Sequence, residues 1–208
     1  VITTPQDQHL FRKLLGDGGQ WGISLSYEAQ DEPNGIAEAF LIGEKFIGAS
    51  NVALVLGDNI FLEKGLTYNF ASDFHSGARV FAVESVQPEK YGVVEFDEKG
   101  LPLSIEEKPL TPRSKHVITG IYLFDPDAVV QAKSLSPSLR GELEIVDLLA
   151  KYLESGTLQV RKLPSEDIWF DMGNPSSLLR AGLEVKNLRE KGDMAFGNPA
   201  LNGFENLS

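Results

Sequence analysis

Two spacings of apolar residues alternate along the chain. Residues 51–56 form a nearly continuous apolar run, the pattern of a strand buried on both faces, and residues 78–83 and 117–124 are further apolar strands. Residues 142–153 instead repeat their apolar positions at the spacing of an amphipathic helix. Strands that alternate with helices predict an α/β fold, in which a mostly parallel sheet is flanked by helices.

Shorter patterns predict the remaining elements. Residues 91–97 alternate in polarity, turn residues follow at 97–100, and extended structure resumes at 103–107, which predicts a β-hairpin. Other strands are predicted at 1–3, 23–27, 158–163 and 168–170, and other helices around 10–15, over 36–47, after Gly65, after Asp127 and over 176–191. Residues 192–208 show no clear period.

Length and composition indicate a single domain over residues 1–208. A chain of 208 residues can enclose a substantial core, and no repeat or low-complexity tract divides it. No apolar run approaches the ~20 residues that span a bilayer, and the first residues lack the segments of a secretory signal. We therefore expect a soluble, cytoplasmic protein without a membrane partner.

Charge and cysteine content narrow the chemistry. The formal net charge of -11 opposes binding to nucleic acid, whose affinity comes from clustered lysine and arginine. Because there is no cysteine, thiolate metal sites and cysteine nucleophiles are excluded. Carboxylates are then the main metal ligands available, and they favour a hard ion such as Mg²⁺.

Two aspartates follow predicted strands directly. Asp58 comes after the apolar run 51–56, and Asp171 follows residues 168–170. In α/β sheets the ligand crevice lies at the carboxyl ends of the strands, so both side chains are candidate Mg²⁺ ligands. Taken singly, each also fits a turn or helix-cap aspartate. The shared placement makes the pair more informative than either residue.

Two charged segments supply candidate phosphate contacts. Lys108 precedes Pro109, which disfavours helical backbone and so predicts an extended lysine with a fixed direction. A lysine held in this way can stabilise charge on a phosphate, and Glu107 can accept protons from sugar hydroxyls. Arg140 leads into the helix predicted over 142–153, near free N–H groups that favour an anion. The alternative interpretation of both segments is that their charged residues are exposed on the surface and bind no phosphate.

The loop before residue 36 is a weaker candidate site. Gln30 could read the edge of a base, and Gly35 could permit close approach of the backbone. Asn-Gly is also an ordinary turn, so this pattern alone decides little. The three histidines are scattered without metal-ligand spacing, and we interpret them as structural.

Seven blocks in order resemble those of the glucose-1-phosphate thymidylyltransferases, which are sugar-phosphate nucleotidyltransferases. The blocks are Gln30 with Pro33-Asn34-Gly35-Ile36-Ala37, Leu56-Gly57-Asp58-Asn59-Ile60-Phe61, Tyr91-Gly92-Val93-Val94-Glu95-Phe96, Ile105-Glu106-Glu107-Lys108-Pro109, Thr119-Gly120-Ile121-Tyr122, Arg140-Gly141-Glu142-Leu143-Glu144-Ile145 and Trp169-Phe170-Asp171-Met172-Gly173. The resemblance covers roughly residues 1 to 185. Seven ordered blocks are far more specific than any one of them.

The resemblance implies a Rossmann-like domain with a small sugar-binding hairpin region, and an enzyme that makes dTDP-glucose and pyrophosphate from dTTP and glucose 1-phosphate with Mg²⁺. By the same resemblance, Asp58 and Asp171 hold the metal, Lys108 contacts phosphate and Arg140 binds the sugar phosphate. The residues implied to touch the thymine are Gln30 and Gly35, and those implied to line the sugar pocket are Tyr91, Gly92, Glu107, Ile118 and Tyr122. It also implies a homo-oligomer, typically a tetramer, that supplies deoxysugar pathways such as that of rhamnose.

The sequence departs from the family in its opening residues and in the tail after Gly192, which lacks the helical pattern that the resemblance implies. Family members open with a loop of the type Gly-Gly-x-Gly-Thr-Arg-Leu that cradles the triphosphate, and no such sequence occurs here. We therefore expect the triphosphate half of the site to lie upstream of Val1. Two alternatives stay open: uridylyl transfer from UTP to glucose 1-phosphate, and a non-catalytic fragment that binds a sugar nucleotide.

Overall fold

The computed structural model describes residues 1–62, 70–71, 73–164 and 168–191. Over these residues it has ten strands and six α-helices. In chain order they are β1 (Ile2–Thr3), α1 (Gln8–Leu15), β2 (Glu28–Ala29), α2 (Glu38–Ile42), α3 (Glu44–Ile47), β3 (Val52–Val55), β4 (Asn59–Leu62), β5 (Ala78–Glu84), β6 (Gly92–Phe96), β7 (Pro102–Glu107), β8 (His116–Phe124), α4 (Asp127–Lys133), α5 (Ile145–Glu154), β9 (Leu158–Lys162), β10 (Ile168–Asp171) and α6 (Pro175–Glu190).

Strand β8 is the centre of a six-stranded sheet. Along one edge it pairs with β5, which in turn pairs with β9. Along the other edge its second half pairs with β3, where Val55 lies opposite Ile121, and its first half pairs with β6, where Val93 lies opposite Val117. Strands β6 and β7 form the hairpin that the alternation of residues 91–107 predicts. Every residue of β8 after His116 is buried.

The α/β class with a sheet flanked by helices is confirmed, but the predicted strand direction is wrong. Among the strand pairs of the described residues, β1–β2 and β5–β9 are parallel, whereas the pairs of β8 with β3, β5 and β6, the β6–β7 hairpin and the β4–β10 pair are antiparallel. Strands β3, β5 and β9 do run the same way, with β8 reversed between β3 and β5. A buried strand reads as an apolar run in either direction, so the sequence pattern cannot detect this reversal.

Two apolar layers cover the faces of the sheet. On one face α2, α4 and α5 pack around Phe124, whose ring meets Phe40 at a centroid distance of 4.9 Å and Tyr152 at 5.5 Å. On the other face Phe81, Ile121 and Leu123 form a second cluster. The edge-on contact of Phe124 with Phe40 adds to the free energy gained from burial alone.

Three predicted elements near the N-terminal half need correction. Residues 23–27 are not a strand; a 3₁₀ turn at Gly19–Trp21 precedes them, flanked by glycines with positive φ, and the strand comes later, as β2. The helix predicted over 36–47 is divided at Gly43 into α2 and α3. Strand β3 is not buried on both faces, because Val55 is 58% exposed.

Several other predicted elements are present in the structure, and two predictions concern residues that it does not describe. The predicted strand at 1–3 and the helices around 10–15, after Asp127 and over 176–191 are present as β1, α1, α4 and α6. The helix predicted after Gly65 and the tail from residue 192 lie outside the described residues. The helices that the model describes are all too short or too polar to span a bilayer.

We predict that the layer around α5 contributes much of the stability. Leu148 is fully buried there, whereas Leu110 is fully exposed. Leu148→Ala removes buried methyl groups and leaves a cavity, so it should lower the free energy of unfolding by about 2–5 kcal/mol. Leu110→Ala, the matched control, should change it by less than about 0.5 kcal/mol. Urea unfolding measures both, and equal losses would contradict this assignment of the core.

Candidate active site

Most of the candidate residues line one cleft. It is a cavity of about 180 Å³ between the end of β3, the β6–β7 hairpin, β8 and the start of α5. The sequence-predicted residues that line it are Asp58, Tyr91, Gly92, Glu107, Lys108, Ile118, Tyr122, Arg140 and Asp171. Residues far apart in the sequence therefore meet at one place.

Asp58 and Asp171 converge at the floor of this cleft. Asp58 lies in the turn between β3 and β4, and the pairing of β4 with β10 sets Asn59 opposite Asp171. The backbone N–H of Met172 also donates to the Asp58 carbonyl at 2.8 Å. A Cβ placed on Gly173 would lie 3.1 Å from Asp171 Oδ1 and 3.3 Å from Asp58 Oδ2. Because both oxygens approach this one point, the two carboxylates can reach the same small ion.

The donor set fits a magnesium ion that is completed by its substrate. Among the described residues there is no group of three or more His, Cys, Asp or Glu side chains arranged to hold a metal. Mg²⁺ does not require one, since it is commonly bound through one or two carboxylates together with phosphate oxygens and water. Asp58 and Asp171 match that pattern.

Asn59 binds Asp58 through its side chain and was given no role from the sequence. Its side-chain Nδ2 donates to Asp58 Oδ1 at 2.8 Å. Its Oδ1 accepts from the backbone N–H of Gly120 at 3.1 Å and from the indole Nε1 of Trp169 at 2.6 Å. Gly120 leaves room for this contact, because a Cβ there would lie 2.6 Å from the Asn59 amide. The only sequence signal for Asn59 is its place directly after a strand-end aspartate.

Tyr91 and Trp169 form an aromatic wall beside Asp171. Their ring centroids are 5.2 Å apart in an edge-on arrangement. The Tyr91 hydroxyl interacts with the Asp171 carboxylate, and burial together with that negative charge raises the pKa of Tyr91. The phenol therefore stays protonated and can donate a hydrogen bond.

Lys108 does reach the cleft, but its predicted extended backbone is wrong. Its φ is +43°, and only Asp73 shares a positive φ among the non-glycine residues that the model describes. The Lys108 N–H donates to the Tyr91 carbonyl at 3.0 Å, so the hairpin pairing continues into this residue before the chain turns away at Pro109. Pro109 disfavours the right-handed helical region for Lys108, and the chain uses the left-handed region instead. Such backbone costs about 1–3 kcal/mol and occurs often at functional sites.

Glu107 is a partly buried carboxylate between two cations. It is 22% exposed and lies 3.5 Å from Lys108 Nζ and 3.6 Å from Arg140 Nη2. Burial raises the pKa of Glu107, the Glu144 charge raises it further, and Lys108 and Arg140 oppose the rise. The Glu107 carboxylate can accept hydrogen bonds from ligand hydroxyls.

Gly92, Ile118 and Tyr122 shape the wall of the cleft around Glu107. A Cβ on Gly92 would lie 2.9 Å from Val146, so a larger residue would clash with that side chain, and 3.5 Å from Glu107 Oε2, in van der Waals contact with the carboxylate. The side chains of Ile118 and Tyr122 are buried on the same face of β8. Burial raises the pKa of Tyr122, with the charges of Glu107 and Asp58 adding to it, so its hydroxyl stays a donor.

Arg140 lies shortly before α5, as the sequence analysis predicts, and carboxylates hold its guanidinium. It donates to both oxygens of Glu144, at 2.8 and 2.9 Å, and the Glu142 carboxylate lies 3.4 Å away. Glu144 is the residue before α5 and is only 8% exposed. Ser138 also donates to Glu144, at 2.7 Å. The Arg140 guanidinium is thus oriented at the rim of the cleft before any anion binds.

Gln30 and Gly35 lie together but outside this cleft. Gln30 Nε2 donates to the Gly35 carbonyl at 3.0 Å and to Glu38 at 2.7 Å. Gly35 has a φ of +101°, and a Cβ there would lie 2.4 Å from the Leu143 carbonyl oxygen. Packing against Leu143 is therefore the observed reason for the glycine. Gln30 faces a neighbouring, largely apolar groove of about 490 Å³ between β1 and β3.

Thr119 is a further polar residue at the cleft that the sequence analysis did not select. It is 1% exposed, and its hydroxyl is the one buried side-chain polar atom without a hydrogen-bond partner in the part of the chain that the model describes. A hydroxyl residue within the apolar stretch 117–124 is the signal that could have identified it.

This fold and cleft are those of a nucleotidyl transferase, and the chain belongs to the Nucleotidyl transferase family, whose sequence model matches residues 1–187. Within that family, it is similar to proteins named glucose-1-phosphate thymidylyltransferase. The one from Neisseria meningitidis serogroup A is 50% identical over 192 residues, which are 91% of this chain and 66% of the relative. The one from Mycolicibacterium smegmatis is 46% identical over 200 residues, 96% of this chain and 69% of the relative.

Solved structures agree with the fold. A Bacillus anthracis protein provisionally assigned as a glucose-1-phosphate thymidylyltransferase, in complex with sucrose, has a TM-score of 0.81 and 35% identity, covering 95% of this chain and 77% of that one. A UDP-glucose pyrophosphorylase complexed with UDP-glucose has a TM-score of 0.71 at 20% identity, covering 89% and 74%, and supports the fold alone. The resemblance found in the sequence is confirmed, and this chain spans about two thirds of the length of the curated relatives.

We predict that the Arg140–Glu144 pair stabilises the rim of the cleft. Glu144→Gln keeps the shape of the side chain but removes the charge of a carboxylate that is only 8% exposed, so it should lower the free energy of unfolding by about 1–3 kcal/mol. Glu44→Gln is the matched control, because Glu44 pairs with Lys133 and both side chains are half exposed. That change should cost less than about 1 kcal/mol. Urea unfolding compares them, and a larger loss for the Glu44 variant would contradict the prediction.

Proposed function

We propose that this chain carries the metal and sugar-phosphate half of a glucose-1-phosphate thymidylyltransferase. The whole protein would form dTDP-glucose and pyrophosphate from dTTP and glucose 1-phosphate, with Mg²⁺. The observation that carries the proposal is the convergence of Asp58 and Asp171 on a cleft that also holds Glu107 and Lys108. The names of relatives at up to 50% identity support the choice of substrates.

In the proposed reaction a phosphate oxygen of glucose 1-phosphate attacks the α-phosphorus of dTTP. A new P–O bond forms as the bond from the α-phosphorus to the bridging oxygen breaks, and pyrophosphate leaves with that bonding pair. Such transfers depend mainly on positioning and on stabilising charge on the phosphates. A Mg²⁺ ion held by Asp58 and Asp171 would neutralise part of that charge.

The remaining residues of the cleft would bind and orient the sugar phosphate. Lys108 Nζ is half exposed, so it is available to a phosphate oxygen. Arg140 is directed into the same cleft and would contact the phosphate while its other edge stays on Glu144. Glu107 would accept hydrogen bonds from the sugar hydroxyls, and Tyr122 would donate one to them. The wall formed by Gly92 and Ile118 would limit the space around the sugar ring.

The thymine contacts, the location in the cell, the oligomeric state and the pathway are further parts of the proposal. Gln30 and Gly35 would lie by the thymine, the protein would act in the cytoplasm, and a tetramer would supply a deoxysugar pathway such as that of rhamnose. Gln30 is tied to Gly35 and Glu38, so it would read a base only through its remaining hydrogen-bonding capacity.

We predict that the full-length protein releases pyrophosphate from dTTP and glucose 1-phosphate when Mg²⁺ is present, and that Lys108→Ala lowers kcat by about 100- to 1000-fold. The reason is that a lysine aimed at a developing charge stabilises the transition state more than the ground state. Lys99→Ala is the matched control, because Lys99 lies in the exposed turn of the same hairpin. A coupled pyrophosphate assay measures both variants.

The same assay separates the alternatives. Faster turnover with UTP than with dTTP would identify a uridylyltransferase instead. Calorimetric binding of dTDP-glucose without any turnover would favour a non-catalytic binding protein. Turnover of the Lys108 variant equal to that of the Lys99 variant would remove the role given to Lys108.

We predict that Glu107 sets the acidic limb of the pH profile. Because burial raises the pKa of Glu107, its carboxylate is protonated on acidification at a higher pH than an ordinary carboxyl. In the wild type, kcat/KM for glucose 1-phosphate should fall as the pH drops through that raised pKa. Glu107→Gln should lower kcat/KM at neutral pH by about 10-fold or more and should lose this limb.

Glu106→Gln is the control for the pH profile, because Glu106 is the exposed neighbour on β7. Its profile should match that of the wild type, and titration of the substrate phosphate is common to all three proteins. An acidic limb that survives unchanged in the Glu107 variant would contradict the assignment.

A further inference from the structure

A ring of contacts links the carboxylates of the cleft to its aromatic wall. Starting at Asp58, the ring passes through the side chains of Asn59, Trp169 and Tyr91 and ends at Asp171. Asp171 Oδ1 and Asp58 Oδ2 both lie beside Gly173, 3.1 and 3.3 Å from the position that a Cβ would take there, which completes the ring. The five side chains come from three separate segments of the chain, so no single loop could fix this geometry.

Asn59 is the one member of the ring that makes three side-chain hydrogen bonds. Its amide nitrogen holds the Oδ1 oxygen of Asp58, while the Oδ2 oxygen lies beside Gly173. Its amide oxygen is shared between the Gly120 N–H of β8 and the Trp169 indole. Both ends of the amide are therefore used, and the side chain cannot rotate without breaking a bond to one of three segments.

Steric contacts also fix Asn59 in place. The Cα of Gly120 lies directly against the Asn59 amide, so closely that a Cβ would be 2.6 Å from it. Close packing of this kind transmits displacements, because neither partner can move into empty space. A shift of Asp58 would move Asn59, and a shift of Asn59 would move the indole that packs on Tyr91.

We propose that Asn59 is a positioning residue that couples the Asp58–Asp171 cation site to the Trp169–Tyr91 wall of the cleft. This inference rests on the proposed function, because it assigns Asp58 and Asp171 to a divalent cation. Asn59 lines the cleft, and its side-chain hydrogen bonds go to Asp58, Gly120 and Trp169. It acts by orienting Asp58 and by linking that orientation to Trp169. Outer contacts of metal ligands are worth about 10- to 100-fold in metal affinity when they are removed.

The test measures cation binding and the state of Trp169 separately from turnover. The parent is Trp21→Phe in the full-length protein, which leaves Trp169 as the remaining tryptophan of this sequence; Trp21 is half exposed in the turn after α1. Binding of Mn²⁺, which takes the same oxygen ligands as Mg²⁺, is measured by electron paramagnetic resonance. The emission of Trp169 is recorded during a titration with Mg²⁺.

We expect Asn59→Ala to weaken Mn²⁺ binding by about 10-fold or more and to abolish the Mg²⁺-dependent change in Trp169 emission, even at saturating Mg²⁺. Asn51→Ala is the matched control. Asn51 likewise uses its amide nitrogen for a hydrogen bond, to the His75 carbonyl at 3.2 Å, but lies before β3 and outside the cleft. It should leave both measurements as they are in the parent.

A second variant keeps the test decisive if Asn59→Ala does not fold. Trp169→Phe removes the indole N–H but keeps a ring beside Tyr91, and it touches neither carboxylate. Coupling through Asn59 requires this variant also to weaken Mn²⁺ binding, by a smaller factor. An Mn²⁺ affinity equal to that of the parent in Trp169→Phe, or in a folded Asn59→Ala, would overturn the inference.

The inference and the proposed function can fail separately. Turnover of dTTP and glucose 1-phosphate by the parent, with unchanged Mn²⁺ binding in both variants, would overturn the coupling alone. Absence of Mn²⁺ binding by the parent would overturn the coupling and the cation site together. Absence of turnover with the expected loss of Mn²⁺ affinity would uphold the coupling and reject the enzyme.

Discussion

The pairing of β8 along both of its edges is the constraint on which the rest of the structure depends. This strand holds β5 on one side and both β3 and β6 on the other, so it joins the segment that ends at Asp58 to the hairpin that ends at Lys108. Its two faces anchor both apolar layers, through Phe124 on one and Leu123 on the other. At Gly120 its backbone also bonds Asn59. The geometry of the cleft therefore follows from the register of one buried strand.

The charge balance of the cleft favours phosphates only when a cation is present. Five carboxylates line the cleft, against two lysines and Arg140; the carboxylates are those of Asp58, Glu107, Glu142, Glu144 and Asp171. Glu144 already neutralises Arg140, and Glu107 partly neutralises Lys108. A polyphosphate entering this site would be repelled by Asp58 and Asp171 unless a divalent ion lay between them. The acidic composition of the chain and its proposed phosphate chemistry are thus compatible through the metal.

Local patterns in the sequence predicted those parts of the site that depend on local structure. The β6–β7 hairpin was predictable because alternation and turn residues specify it within the segment 91–107. Asp58 and Asp171 were identifiable as candidates because each lies near the end of an apolar segment: Asp58 is in the turn after β3, and Asp171 is the last residue of β10. The backbone of Lys108 was not, because its left-handed φ is set by pairing with Tyr91 across the hairpin. The antiparallel direction of β8 was not predictable from the sequence either, since an apolar run looks the same whichever way the strand runs in the sheet. The pairing of Arg140 with Glu144 was not predictable, because Glu144 is identified as buried only once α5 is packed.

The choice of a neutral amide at position 59 follows from the same balance of charges. Asp58 needs a donor to fix one oxygen, but a lysine there would neutralise the carboxylate that has to attract a cation. An aspartate would add repulsion and would offer no donor to Asp58. An amide supplies a donor on one side and an acceptor on the other, and the acceptor is needed because the Gly120 N–H and the Trp169 indole both donate to it. Asparagine is short enough to do so against the bare Cα of Gly120, whereas glutamine would need space that β8 does not leave.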